Sequence, residues 1–149
     1  MSVLPIHHTY ELTIGHLGML YRGVTICIND RLENIAANMN RFKPGFILVV
    51  PAIAEAFYKK VMDGIASGAN QRKIAFAKRI NRICSIFGID IRRKLYKSLL
   101  DKFGGNLTSI VVGGAALRQD VAEAFTEFGV NMFQGYGLSE ATPVISSNG

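Results

Sequence analysis

The sequence predicts an α/β fold in which a mostly parallel sheet is flanked by layers of helices. Short apolar runs alternate with longer stretches of helical periodicity along the chain. Several runs are apolar without interruption, as in strands buried on both faces, and two of them lead into glycine turns. The 149 residues, 49% of them apolar, suffice for one domain with a packed core.

The first half of the chain predicts two strands and two helices after an apolar N-terminal stretch. Residues 24–29 are rich in β-branched side chains, and 46–50 form a continuous apolar run before Pro51. Between them, apolar residues at helical spacing predict a helix over 30–42 with Asp30 as its N-cap. A second helix is predicted over 52–66, closed by Gly68.

The second half predicts three helices and two strands. Residues 71–87 form a helical pattern with one basic arc, and Asp90 is predicted to cap a continuous helix over 91–103. The inward face of this helix is predicted to consist of Ile91, Leu95, Leu99 and Phe103. A strand over 107–114, a helix over 118–128 and a last clear strand over 130–137 follow.

The net charge of +6 is unevenly distributed. The stretch from Lys59 to Lys102 holds 12 Lys or Arg and 3 Asp or Glu, so the remainder of the chain is mildly acidic. One interpretation is the solvated face of ordinary helices. The alternative is a non-catalytic basic α/β module that binds a membrane surface or another anionic partner. No nucleic-acid-binding motif accompanies the charges, so nucleic acid is not expected as a partner.

The two cysteines, Cys27 and Cys84, predict buried free thiols in a cytoplasmic protein rather than a disulfide. No apolar run is long enough to span a bilayer. The sequence shows no signal-peptide pattern, so no signal peptide is expected. The oligomeric state is left open by the sequence.

The segment "FQGYGLSEATP" combines an aromatic ring, a hydroxyl and a carboxylate after an apolar strand. Glycines let a backbone approach a ligand closely, and Tyr136 could cover a flat heterocycle by stacking. Ser139 offers a hydroxyl to a phosphate oxygen, and Glu140 offers a hard oxygen ligand to Mg²⁺. The alternative is a tight turn with a partly buried tyrosine, and the residues alone leave both open.

Three segments together resemble the adenylate-forming (AMP-binding) superfamily, and they follow its order. "GYGLSEATP" resembles the family's adenylate-binding motif, "VVGGAALRQDVAEAF" its "SGGAPL" segment and "LPIHHTYELT" its "PxxH" acyl-site motif. The basic helical insert at about 59–105 favours the long-chain fatty acyl-CoA synthetase branch. The resemblance implies that residues 1–149 form part of the N-terminal adenylation domain of such an enzyme.

The resemblance also implies a role for particular residues. His8 would stand near the reacting carboxylate and phosphate, Ser139 would contact the α-phosphate, and Glu140 would bind Mg²⁺. These three would be the catalytic residues. Tyr10, Glu11 and Gly15 would help to shape the acyl tunnel. The adenylate slot would be formed by Gly114, Ala115, Ala116, Gly135, Tyr136, Gly137 and Ser139.

The implied reaction is the ATP-dependent activation of a fatty acid as acyl-AMP, followed by transfer to the thiol of coenzyme A. Positioned donors and a metal would stabilise the charge on phosphorus. The family's phosphate loop and its C-terminal catalytic lysine are expected outside these 149 residues, so the fragment alone is expected to be inactive. Peripheral contact with an anionic membrane is a further expectation, because the substrates partition into bilayers.

Overall fold

The computed structural model describes residues 1–65, 76, 79–81, 84, 86, 88–141 and 143–148. A four-stranded sheet has the order β1-β2-β3-β4, with β1 parallel to β2, β2 parallel to β3, and β4 antiparallel to β3. The strands are β1 (Phe46–Val49), β2 (Ser109–Val112), β3 (Asn131–Tyr136) and β4 (Ser146–Asn148). This arrangement confirms the predicted α/β class with a mostly parallel sheet.

The described helices surround this sheet, and short turns of other helix types extend several of them. A π-helix, Glu11–Gly18, precedes α1, and 3₁₀ turns lie at Leu32–Asn34, Asp101–Phe103 and Ser139–Ala141. The α-helices are α1 (Met19–Tyr21), α2 (Ile35–Phe42), α3 (Pro51–Ile65), α4 (Arg92–Leu95), α5 (Lys97–Leu100) and α6 (Gln119–Glu127). None of the described helices is long and apolar enough to cross a membrane.

The core lies where α3, α6 and the residues after α5 pack against the buried side chains of β1 and β2. Ile47 and Ile110 are fully buried within this core. Phe103 joins the layers, because its ring centroid lies 5.5 Å from that of Phe57 on α3 and 6.1 Å from that of Phe125 on α6. Aromatic pairs contribute about 0.5–1.5 kcal/mol beyond area burial, so Phe103 fixes both helices over the sheet.

The predicted strand over 24–29 was wrong. Only one parallel bridge forms there, between Ser2 and Ile28. The backbone N–H of Ser2 donates to Cys27 and that of Asn29 donates to Ser2, and pairing stops at these bonds. Ile28 is 68% exposed, so the β-branched run has no second layer to pack against. Strand propensity does not form a ladder without such a partner.

The predicted continuous helix over 91–103 is broken at Tyr96, which has φ −99° and ψ 16°. The Tyr96 side chain is buried, its ring lies 5.0 Å from that of Phe128, and its hydroxyl donates to Glu127 at 2.9 Å. Tertiary contacts therefore outweigh helical continuity here. The inward face was also wrong in part, since Tyr96 and Leu100 are buried while Leu95 and Leu99 are half-buried.

The two predicted caps had different outcomes. The Asp90 carboxylate accepts the backbone N–H of Arg92, the first residue of α4, at 3.0 Å, although Asp90 lies one residue before the N-cap position, which Ile91 occupies. Hydrogen bonds from Arg92 also lower the pKa of Asp90 to about 2. Asp30 instead accepts from the side-chain amides of Asn34 and Asn38, and no side-chain cap bond is made at the start of α2.

Several other predictions can be compared directly with the structure. The strand over 46–50 and the helices over 30–42, 52–66 and 118–128 are confirmed within one to five residues at their ends. Most of the predicted helix over 71–87, and its neighbour Gly68, lie outside the described residues. Cys27 and Cys84 are free thiols, as predicted, although both are half-buried rather than buried. The strand β4 was not predicted.

One arginine hydrogen-bonds the backbone just before both β2 and β3. The Arg93 guanidinium donates to the carbonyl oxygens of Leu107 at 2.6 Å, Gly105 at 3.1 Å and Gly129 at 3.3 Å. Leu107 and Gly129 each precede their strand by two residues, and the register of the two strands pairs Ser109 with Asn131. Arg93 therefore holds two carbonyls that are level with each other across the sheet.

Replacement of Arg93 by alanine should leave these three carbonyls without their charged donor. Hydrogen bonds to charged groups are worth about 1.5–3 kcal/mol, so we expect a loss of roughly 2–4 kcal/mol in the free energy of unfolding. Urea denaturation measures this difference. The exposed neighbour Lys94 provides the control, because Lys94→Ala removes the same charge. Equal stability of the two variants would contradict the role of Arg93.

Candidate functional site

Two glycine turns meet at the carboxyl ends of the parallel strands. Val112, the last residue of β2, is paired with Gln134 on β3, so Gly113 follows one strand beside Gly135 on the next. In open α/β sheets, ligands bind outside the carboxyl ends of the strands. The register of the sheet thus places both glycine segments at the edge where a ligand is expected.

A first cavity of about 380 Å³ lies at this edge. His8, Ser139 and Glu140, the three predicted catalytic residues, all line it, together with the glycine turns. Its remaining wall is largely apolar and is formed by Leu4, Pro5, Thr9, Tyr10, Val50, Leu138, Pro143 and Val144. The cavity therefore brings a histidine, a hydroxyl and a carboxylate together beside an apolar surface.

A second cavity of about 600 Å³ adjoins the first. Ala115, Ala116 and Tyr136 line it, and the Tyr136 side chain is 64% exposed. Both cavities share Gly114, Gly135, Gly137 and Leu138. All nine predicted catalytic and adenylate-slot residues therefore line one cavity or both. What they bind stays a prediction, which this shared location supports. Of the three residues predicted to shape the acyl tunnel, Tyr10 lines the first cavity, whereas Glu11 and Gly15 line neither.

His8 is oriented by the backbone. The backbone N–H of Tyr10 donates to His8 Nδ1 at 3.2 Å. Because Nδ1 accepts this bond, the proton of the neutral imidazole is on Nε2, and this nitrogen is the available donor. His8 can therefore present an N–H to an oxygen within the first cavity.

Glycine is required at positions 114 and 137 for different physical reasons, and packing does not require it at 135. Gly114 has φ +88°, a conformation that side chains with a Cβ rarely adopt. A Cβ at Gly137 would overlap the backbone carbonyl of Pro143, so the chain crosses itself tightly there. Gly135 has no such need, because an added Cβ would approach Val144 no closer than 3.8 Å. Its bare backbone is therefore not explained by packing within the protein.

The oxygen ligands that the protein offers, Glu140 and Ser139, fit Mg²⁺ only when a substrate phosphate supplies further ligands. Glu140 is exposed, and no group of three His, Cys, Asp or Glu side chains that could hold a metal occurs among the described residues. Mg²⁺ is commonly held by one or two carboxylates plus substrate phosphates and water. One carboxylate, Glu140, beside the Ser139 hydroxyl meets that requirement when a nucleotide is present.

The sequence did not indicate the contribution of β4 to the site. Ser146 and Asn148 line the second cavity, and the backbone N–H of Gln134 donates to Asn148 Oδ1 at 2.8 Å. A short strand of serine and asparagine lacks the apolar alternation that marks a strand in sequence. The antiparallel pairing with β3 was therefore not detectable from the pattern.

The chain belongs to the AMP-binding enzyme family, whose sequence model matches residues 1–149. This assignment agrees with the two glycine turns and with the segments that resemble the adenylate-forming superfamily. The family membership also accounts for the mixed α/β architecture.

The curated relatives include several long-chain-fatty-acid–CoA ligases. Ligase FadD15 of Mycobacterium bovis is 25% identical over 93% of this chain and 25% of its own length. Long-chain-fatty-acid–CoA ligase 3 of Saccharomyces cerevisiae is 28% identical over 94% of this chain and 21% of its own length. The chain thus spans about a quarter or less of the length of these relatives.

Solved structures support the fold. The A-PCP didomain of carboxylic acid reductase from Segniliparus rugosus, in complex with AMP, superposes with a TM-score of 0.66 at 21% identity, over 97% of this chain and 18% of its own. The N-terminal domain of FACL13 from Mycobacterium tuberculosis gives 0.53 at 15% identity, over 92% and 26%. These likenesses show that the fold is that of adenylate-forming enzyme domains.

Replacement of Gly137 by alanine should destabilise the chain, because its Cβ would meet the Pro143 backbone rather than a flexible side chain. We expect a loss of roughly 1–3 kcal/mol, the usual cost of overpacking. Thermal unfolding of Gly137→Ala and Gly135→Ala measures the contrast between two glycines of one segment. Gly135→Ala should unfold at the temperature of the unaltered chain or above it. A Gly137→Ala variant as stable as Gly135→Ala would refute the close approach.

Proposed function

We propose that this chain forms the adenylate-binding wall of an ATP-dependent long-chain fatty acid–CoA ligase. One observation carries the proposal: the nine residues nominated from three separate sequence segments line two adjoining cavities at the carboxyl ends of β2 and β3. The family membership supports adenylate-forming chemistry, and the names of the curated relatives support long-chain fatty acids and coenzyme A as the substrates.

Each of the two cavities is proposed to bind a different part of the substrates. The second cavity takes the adenine, with the Tyr136 ring on one face and the glycine–alanine turn from Gly114 at its edge. The first cavity takes the acid substrate beside His8, whose Nε2–H would donate to a carboxylate or phosphate oxygen. Ser139 would donate to the α-phosphate between the two. Glu140 would hold Mg²⁺, which supplies charge stabilisation to the phosphates when bound.

The proposed reaction has two transfers. A carboxylate oxygen attacks the α-phosphorus of ATP, an O–P bond forms, and the bond to pyrophosphate breaks. The thiol of coenzyme A, as its thiolate, then attacks the acyl carbon and releases AMP. Both steps shift negative charge among phosphate oxygens, so positioned donors are more useful there than a protein nucleophile. The His8 and Ser139 donors suit that requirement.

Tyr136 and Glu140 should have separable effects on ligand binding. Tyr136→Ala should weaken AMP and MgATP alike, by roughly 1 kcal/mol or more, because both ligands carry the adenine that the ring stacks on. Glu140→Ala should weaken MgATP and leave AMP bound without metal unchanged, because it removes a metal ligand. Isothermal titration calorimetry of the unaltered chain and both variants, with and without Mg²⁺, measures the pattern.

The matched control is Tyr21→Ala, which removes another exposed aromatic ring, 91% exposed against 64% for Tyr136, from a residue that lines neither cavity. It should bind both ligands as the unaltered chain does. Equal losses in Tyr21→Ala and Tyr136→Ala, or a Glu140→Ala variant with normal MgATP affinity, would contradict the assigned roles. Absence of AMP binding by the unaltered chain would count against the proposed function itself.

Peripheral contact with an anionic membrane remains a second proposal, and its motivating observation is the basic stretch from Lys59 to Lys102. The described contacts narrow the residues available for it. Arg92 is engaged with Asp90 and with the Thr126 carbonyl, Arg93 with three carbonyls, and Lys97 with Asp101 at 2.9 Å. Of the face proposed for this contact, the proposal then rests on the basic arc of the predicted helix over 71–87, which consists of Lys78, Arg79 and Arg82. Arg79 is exposed, and Lys78 and Arg82 lie outside the described residues. A cytoplasmic location accompanies this proposal.

Co-sedimentation with liposomes that contain anionic lipid tests this second proposal. Each basic residue near an anionic leaflet contributes about 1 kcal/mol, so we expect weak binding at low salt that disappears at high salt. Charge reversal of Lys78, Arg79 and Arg82 to glutamate should abolish it. Reversal of Arg22, Arg31 and Arg41, which are exposed and outside the basic stretch, makes the same charge change and should leave more binding. Equal binding by the two triple variants would refute the proposal.

A further inference from the structure

Tyr10 buries a hydroxyl group for which the described part of the protein supplies no partner. Its side chain is 7% exposed, and its Oη is shielded from solvent without a hydrogen bond. The neighbouring Thr9 Oγ1 has the same property. A buried polar group without a partner costs stability, and phenylalanine would avoid that cost with almost the same shape. The hydroxyl therefore calls for an explanation other than packing.

The position of this hydroxyl points to the first cavity. Thr9 and Tyr10 both line the cavity with His8, and neither lines the second cavity with Tyr136. The Tyr10 ring lies against Gly113, where an added Cβ would come within 2.8 Å of Cζ and 3.0 Å of Oη. Glycine at 113 is thus what admits the ring and its hydroxyl to the end of β2. The backbone N–H of Tyr10 also orients His8.

The chemistry of this hydroxyl is that of a donor. Burial, together with the nearby Glu11 carboxylate, raises the pKa of Tyr10 well above its ordinary value, so the phenol keeps its proton at neutral pH. A protonated phenol donates to an acceptor, and the strongest acceptors are anionic oxygens. The rest of the cavity wall is largely apolar, which suits a hydrocarbon chain attached to such an oxygen.

We propose that the Tyr10 hydroxyl, assisted by the Thr9 hydroxyl, hydrogen-bonds the carboxylate of the acid substrate in the first cavity and thereby selects for an anionic carboxyl group. Tyr10 is then a residue that contacts and orients the substrate, and it lines the first cavity but not the second, where the adenine slot is proposed. The inference rests on the proposed function, because the acid is its substrate. It adds a donor from the segment that follows His8.

The test separates a role in binding from a role in the fold. Tyr10→Phe removes an unpartnered hydroxyl, so its Tm should equal or exceed that of the unaltered chain. Its affinity for laurate should fall about tenfold or more, the scale of a hydrogen bond to a charged group, while its affinity for AMP stays unchanged. Thr9→Val should weaken laurate binding in the same direction. Fluorescence-monitored unfolding and calorimetric titration give these quantities.

Tyr96→Phe is the matched control, because Tyr96 is also buried but its hydroxyl already donates to Glu127. This variant should lower Tm and leave the laurate affinity unchanged. Unaltered laurate affinity in Tyr10→Phe, or an equal loss of laurate and AMP binding, would overturn the inference while the proposed function stands. Failure of the unaltered chain to bind either ligand would overturn the proposed function and this inference with it.

Discussion

The in-register pairing of β2 with β3 is the constraint on which the site depends. Arg93 holds the carbonyls of Leu107 and Gly129 level with each other where the two strands begin. The pairing continues to Val112 and Gln134, where the glycine turns start. A slip of one residue would move every side chain of a strand to the other face and would separate the turns. A contact at one end of the sheet thus determines the geometry of the cavities at the other.

The two cavities differ in chemical character although they share three glycines. The first is apolar and holds the histidine, the carboxylate and two buried hydroxyls, which suits an acid with a hydrocarbon chain. The second is open, with an exposed Tyr136 ring beside a glycine–alanine turn, which suits a flat heterocycle. Ser139 and Glu140, the groups proposed for phosphate and metal, line the first cavity only, and they directly follow Gly137 and Leu138, which both cavities share.

The sequence predicted the buried strands and the long helices because uninterrupted or periodic apolar patterns record burial directly. The glycine turns at two strand ends indicated where a site would lie, and the resemblance to the adenylate-forming superfamily supplied the particular residues, among them His8, which no spacing pattern marks. Prediction from the sequence failed where a distant partner decides the outcome. Tyr96 breaks a helix to reach Glu127 and Phe128, β4 pairs through polar residues, and Ile28 lacks a second layer. The unpartnered hydroxyl of Tyr10 likewise has no signature in sequence.

The central claim is that the turns after β2 and in β3 bind an adenylate. Titration of the ¹⁵N-labelled chain with AMP, followed by amide chemical shifts, tests it most directly. The account predicts saturable shifts at Gly113, Gly114, Ala115 and Ala116 and at Gly135, Tyr136 and Gly137, with little change at the entries of the strands. Shifts confined to the basic stretch from Lys59 to Lys102, and abolished by salt, would instead show that the chain binds AMP only as an anion and would contradict the account.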